Sequence, residues 1–274
     1  MFNSGYYRVF LLGILVIGVL FFRFMYYTQT KIIVAVVDTG VDLRQIKFKL
    51  GTVQGFNVLN SDKSPQDDNG HGTQITSSIN FLEPRIRIMP IKSIPKSGVA
   101  AKQELVQGII TAINRGAKII NISAGVVSPS PDLEQAIRYA EQKGVVVVAA
   151  AGGSEVGVEY PAAYPTVLAV GGVNSRNEKL PNSSTGPELD LVALGEYMTR
   201  GFRGECHAGS GTSLATPIVS VYAARILLDN PRLKPQEVRD ILLDSVIDIG
   251  DTGRDDSTGY GLLRQEEIVF SICD

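Results

Sequence analysis

Short runs of apolar, mostly β-branched residues alternate with amphipathic stretches along most of the chain, which predicts strands and helices in turn. Strands are expected at Ile32–Val37, Ile86–Ser93, Lys118–Ser123, Val145–Ala150, Val167–Val173 and Leu189–Ala193. Helices are expected at His71–Ile79, Lys102–Arg115, Leu133–Lys143, Ser213–Leu228 and Pro235–Val246. In Lys102–Arg115, the residues Leu105, Ile109, Ala112 and Ile113 share one face with charges opposite, the spacing of a half-buried helix. Pro131-Asp132 opens the next helix and Gly144 closes it. The strands are mostly apolar along their length rather than alternating, as when helices cover both faces of a parallel sheet. The expected fold class is therefore α/β, a doubly wound, mostly parallel sheet with helices on both faces. Such sheets bind ligands at the carboxyl ends of their strands, which puts Asp38, Ser123 and Gly152-Gly153 along one rim.

One segment breaks this rhythm. Val9–Phe22 is an unbroken apolar run of 14 residues, bracketed by Arg8 and Arg23, with Tyr6, Tyr7, Tyr26 and Tyr27 just outside. It is short for a bilayer span, but a snorkelling Arg23 and the residues after it extend it toward about 20. Tyrosines at both edges suit the membrane interface. No small-x-small cleavage site follows, and the run is apolar on every face. It reads as an uncleaved signal anchor at about 9–27, within a tail of residues 1–30, ahead of one domain at 31–274. Positive charges flank it almost equally, so the membrane side stays open; a domain outside the cytoplasm is the expected arrangement.

Composition narrows the function. The 274 residues, 44% hydrophobic and 20% charged, suit one large domain. A net charge of −2 provides no basic field, so no nucleic-acid partner is expected. Cys206 and Cys273 are too few for a disulfide scaffold; they form either one bridge in an exported chain or two unpaired thiols. His71 and His207 are the only histidines.

Asp38 ends the strand IIVAVV and precedes Thr39-Gly40, where a buried carboxylate needs a partner. His71 lies in Asn69-Gly70-His71-Gly72-Thr73, where two glycines allow close backbone packing at the start of a helix. Ser213 lies in Gly209-Ser210-Gly211-Thr212-Ser213-Leu214-Ala215, small residues that expose a hydroxyl at a helix N-terminus, where N–H groups favour developing negative charge. A serine nucleophile needs an imidazole base, and the imidazole needs a carboxylate to fix its tautomer. Each motif alone is weak; all three, in the order Asp, His, Ser that subtilisin also uses, are strong.

The blocks VAVVDTGVD, DDNGHGT and GSGTSLATP resemble the three signature segments of the subtilisin-like (subtilase, peptidase S8) serine protease family. NISAG, VVVAAAGG, YPAAYPTVLAVGGV and STGPELDLVALG are similar to further segments of that family, so the likeness spans Lys31 to Leu263. The resemblance implies a subtilisin-like fold, a serine endopeptidase acting on polypeptides through an acyl-enzyme, and no cofactor. It implies catalytic roles for Asp38, His71 and Ser213. Ser123-Ala124-Gly125 would form one side of a peptide-binding groove and Lys96-Ser97-Gly98 the other, with Gly152 beside the specificity pocket.

The chain departs from the family pattern at several places. Gly153 occupies the position of an asparagine whose amide donates to the oxyanion, a loss that costs about 10²–10³ in turnover in subtilisin itself. A catalytically weak or inactive protein that binds peptides or a membrane partner is therefore a second reading. Little chain lies between the apolar run and the first strand, which leaves no room for a folding propeptide. Gln74 stands where a second histidine is common, and Asn80–Arg87 is too short for the family's calcium loop, so no metal is expected. Glu159, before Tyr160-Pro161, falls at the base of the specificity pocket, where a carboxylate favours Lys or Arg before the scissile bond; a solvated loop glutamate is the other reading. His207 is expected in a surface loop, and Asp67-Asp68 at a helix start with general solvation.

Overall fold

In the computed structural model, which describes residues 32–44, 46, 52–153, 155–201, 204–264, 271 and 273, the expected apolar runs become strands and further strands join them. They are β1 (Ile33–Asp38), β2 (Phe56–Asn57), β3 (Arg87–Lys92), β4 (Ile119–Ile122), β5 (Val146–Ala150), β6 (Val167–Val173), β7 (Leu191–Leu194), β8 (Glu196–Arg200), β9 (Cys206–Ser210), β10 (Val246–Ile247) and β11 (Leu262–Leu263). The helices are α1 (His71–Leu82), α2 (Lys102–Asn114), α3 (Pro131–Gln142), α4 (Thr212–Asp229) and α5 (Pro235–Asp244). The expected anchor at about 9–27 lies outside the described residues. Among those described, no helix is long and apolar enough to cross a membrane.

The main sheet runs β2-β3-β1-β4-β5-β6-β7-β11-β10, parallel except for the antiparallel pair β10-β11. β1 pairs with both β3 and β4, so the chain runs from β1 to one side and then crosses back to the other. That reversal makes the carboxyl end of β1 a topological switch point, where a crevice opens.

Side chains alternate across β1 and feed two cores. Val34 and Val36 belong to one core with Ile75 and Ile79 of α1, Leu214 and Ile218 of α4, and Val238 and Leu242 of α5. Ala35 and Val37 belong to the core on the opposite face, with Leu105 and Ile109 of α2 and Leu133 and Ile137 of α3. Burying each Val, Leu or Ile contributes about 1.5–3 kcal/mol, so apolar burial on both faces fixes the helices to the sheet. The doubly wound, mostly parallel α/β expectation is met.

The β8–β9 hairpin pairs Thr199 with His207 and Arg200 with Cys206, and it corrects the loop expected at His207. Only Tyr197 and Thr199 of β8 are fully buried, and β9 reads CHAGS, so neither strand carries an apolar run. Between the two open readings of the cysteines, Cys206 and Cys273 are joined in a disulfide.

Candidate active site

Asp38 is fully buried at the end of β1. Its Oδ1 accepts from the Thr39 N–H at 2.7 Å and lies 2.8 Å from His71 Nδ1, with Oδ2 at 3.0 Å from the same nitrogen. These partners offset the desolvation that an isolated carboxylate would suffer.

His71 is the first residue of α1. The helix cap, Gly70, offers no side chain. Asp67 takes its place and accepts from the N–H groups of Gly70 and Thr73 and from Thr39 Oγ1, each at 2.9 Å. Asp67 is thus a buried fastener rather than a solvated residue, whereas half-exposed Asp68 pairs with buried Lys92 at 2.7 Å. Gly72 permits the close approach of the two loops, since a Cβ there would lie 2.1 Å from the Gly40 carbonyl oxygen.

The ring of His71 is 30% exposed. With Nδ1 donating to the carboxylate, Nε2 is left as the proton acceptor. Burial alone would lower the imidazole pKa; the Asp38 charge, its hydrogen bond and the Asp67 charge outweigh it and raise it above 6.5.

Ser213 sits in the first turn of α4, after Gly211 at φ 149°. Pro217 lies four residues on inside the helix and has no N–H for the Ser213 carbonyl. The Ser123 hydroxyl, just past β4, donates to that carbonyl instead, at 2.9 Å. Thr212 Oγ1 donates to the Gly152 carbonyl, past β5, at 3.4 Å. The nucleophile candidate is thereby held to one strand end by its own carbonyl and to a second by the side chain of its neighbour Thr212. Tyr197 OH donates to the Leu214 carbonyl of α4 at 3.0 Å and lies 3.0 Å from Ser78 Oγ of α1, which joins the helices of His71 and Ser213.

A groove of about 530 Å³ runs past His71. Gly98, Val99 and Ala100 line one edge and Ser123, Ala124 and Gly125 the other, with Thr39 and Asn69 also on its surface. Of the residues expected on the two groove edges, Gly98, Ser123, Ala124 and Gly125 line this cavity, and Ser97 lies in the adjoining turn, where its hydroxyl accepts from the Val99 N–H at 3.4 Å.

Glu159 fills the gap between Gly125 and Gly152. A Cβ on either glycine would lie 2.6 Å from one of its carboxylate oxygens. Glu159 Oε1 accepts from the Gly153 N–H at 3.4 Å. Glu159 is half-buried at this place, between the two glycines. Thr39 and the Ser123–Pro217 compensation gave no sequence signal, because both act through contacts distant in the chain.

The chain matches the Subtilase family over residues 29–261. It is 33% identical over 249 residues to minor extracellular protease Epr of Bacillus subtilis, which covers 86% of this chain and 38% of Epr, so it spans well under half of that relative. It is 34% identical to subtilisin Savinase of Lederbergia lenta, over 87% of this chain and 91% of the relative. A cold-adapted subtilisin-like serine proteinase superposes with a TM-score of 0.77 at 27% identity, covering 85% of this chain and 88% of its own.

Proposed function

The chain belongs to the subtilase family, and we propose that it is a serine endopeptidase in which Ser213 is the nucleophile, His71 the general base and acid, and Asp38 the group that orients His71. The observation that carries this reading is the 2.8 Å bond from buried Asp38 to His71 Nδ1, at the same rim where Ser213 opens α4. Ser213 Oγ attacks the scissile carbonyl carbon while Nε2 takes its proton. The C–N bond then breaks, and the imidazolium returns that proton to the leaving amine. A water, deprotonated by the same Nε2, releases the acyl group. The Ser213 N–H, at a helix N-terminus, faces the developing oxyanion. An extended peptide adds as a strand between Gly98–Ala100 and Ser123–Gly125 through main-chain hydrogen bonds.

A fluorophosphonate probe tests this reading. Covalent labelling of the folded full chain is expected, and a folded chain that stays unlabelled sinks it. A protein that only binds peptides is the second reading, favoured by the missing side-chain donor at Gly153, and it predicts that unlabelled result.

Glu159 places a carboxylate between the two glycine walls, which suits a Lys or Arg side chain before the scissile bond. Peptides with Arg there are expected to show kcat/KM about 10–10² higher than those with Leu, on the scale of a charged hydrogen bond. Faster cleavage after Leu or Phe would overturn this assignment.

Val9–Phe22 tethers the domain to a membrane in this reading, and the Cys206–Cys273 disulfide supports an oxidising compartment outside the cytoplasm. The full chain is then expected to stay with membranes through alkaline carbonate extraction. Release into the carbonate supernatant contradicts the anchor.

A further inference from the structure

We propose that the side-chain amide of Asn182 is a second oxyanion donor of this site, in place of the side chain that Gly153 does not have. The inference rests on the serine endopeptidase reading above. Acyl transfer puts negative charge on the former carbonyl oxygen, and converging donors in a water-poor site are the main means of stabilising it. The Ser213 N–H is one such donor, and a single donor leaves much of that stabilisation unused.

The space that a side chain at 153 would enter is bordered by Asn182. A Cβ on Gly153 would lie 3.0 Å from the Asn182 carbonyl oxygen and 3.8 Å from Asn182 Cβ. On the other side, a Cβ on Gly211 would lie 3.5 Å from Asn182 Nδ2, 3.6 Å from Ser213 Oγ and 3.9 Å from Ser213 N. One point is therefore within 4 Å of an amide donor, the nucleophile and the main-chain donor. The absence of a side chain at Gly211 is what keeps it open. In the proposed pose, the carbonyl oxygen on the carbon attacked by Ser213 points toward this space.

The backbone around Asn182 is fixed and its side chain is not. The Ser184 N–H donates to the Gly152 carbonyl at 3.0 Å, and Ser183 Oγ accepts from the Gly172 N–H at 3.0 Å, which fastens the segment to the ends of β5 and β6. The Asn182 side chain is exposed, and its amide donates to the Ser210 carbonyl at 3.5 Å, the outer limit of a hydrogen bond. Turning from that weak partner to an anionic oxygen gains a much stronger one.

The test compares the full-length wild type with Asn182→Ala and Asn182→Asp on an arginyl peptide substrate, with a peptide boronic acid as tetrahedral analogue. Asn182→Ala is expected to lower kcat by about 10²–10³ with KM little changed, the scale for losing one such donor. Asn182→Asp, of the same shape but with an anion in place of the donor, is expected to lose at least as much. Boronate affinity should fall in parallel with kcat/KM, while the thermal midpoint stays put. An unchanged kcat in Asn182→Ala, or a loss carried by KM or by a lower midpoint, overturns the assignment while wild-type labelling by the fluorophosphonate leaves the protease reading standing. A wild type that neither labels nor hydrolyses overturns the protease reading, and the role of Asn182 falls with it.

Discussion

Replacing Ser213 with alanine is expected to abolish fluorophosphonate labelling and to lower kcat about 10⁶-fold, the scale on which subtilisin suffers when its nucleophile is lost. The residue is held by its main chain, through the Ser123 hydroxyl on its carbonyl and through its place in the first turn of α4. Removing Oγ therefore leaves the groove, the Asp38–His71 pair and the helix start in place. KM should stay within a few-fold, because ground-state binding uses the groove edges rather than the hydroxyl. Combining Ser213→Ala with Asp38→Asn should cost no more than Ser213→Ala alone, since the three side chains act as one unit. Hydrolysis in the alanine variant within tenfold of wild type would show that Ser213 is not the nucleophile.

Asp38→Asn carries the second large effect, about 10⁴ in kcat at neutral pH. The amide keeps one acceptor oxygen, which the Thr39 N–H also claims, and its NH2 then faces Nδ1 as a donor, so the ring is no longer kept in the tautomer whose Nε2 takes a proton. The imidazolium formed during attack also loses its counter-charge. The pH profile separates this role from a structural one. His71 has its pKa raised above 6.5, burial being outweighed by the Asp38 charge and hydrogen bond with help from the Asp67 charge. Only the neutral ring is a base, so wild-type activity should fall as pH drops through a value above 6.5. Without the Asp38 charge that acid limb should move to lower pH. The same raised value gives the His71–Asp38 pairing a stabilising contribution that is full below about 6.5 and is lost as pH rises through the folded-state value. An acid limb at the same pH in wild type and Asp38→Asn would refute the coupling.

The fold was legible because its cause is local and repeated. β1, β3, β4, β5 and β6 each carry a predominantly apolar run bounded by helix-period segments, and the expected ends fall within a residue or two of those observed. The hairpin β8–β9 was not legible, because its pairing depends on partners rather than on a run. Its one strongly apolar contribution, Tyr197, bonds to Ser78 and Leu214, far away in the chain. Helix α1 runs to Leu82 rather than ending at Ile79, because Leu82 packs against a core that the sequence pattern does not reveal.

The sequence by itself determined the α/β class and the identity of Asp38, His71 and Ser213 as candidates. Each of them sits in a short segment whose glycines are demanded by local backbone packing, and such demands leave a local trace. Only the tertiary structure decided what surrounds them. It joined Cys206 to Cys273, made Asp67 a buried fastener, set the Ser123 hydroxyl against the carbonyl that Pro217 leaves without a donor, and put Glu159 between Gly125 and Gly152. It also brought Asn182 beside both Gly153 and Gly211. These placements depend on which strand ends converge at the switch point, and contacts between segments so far apart leave no periodic signal in any one of them.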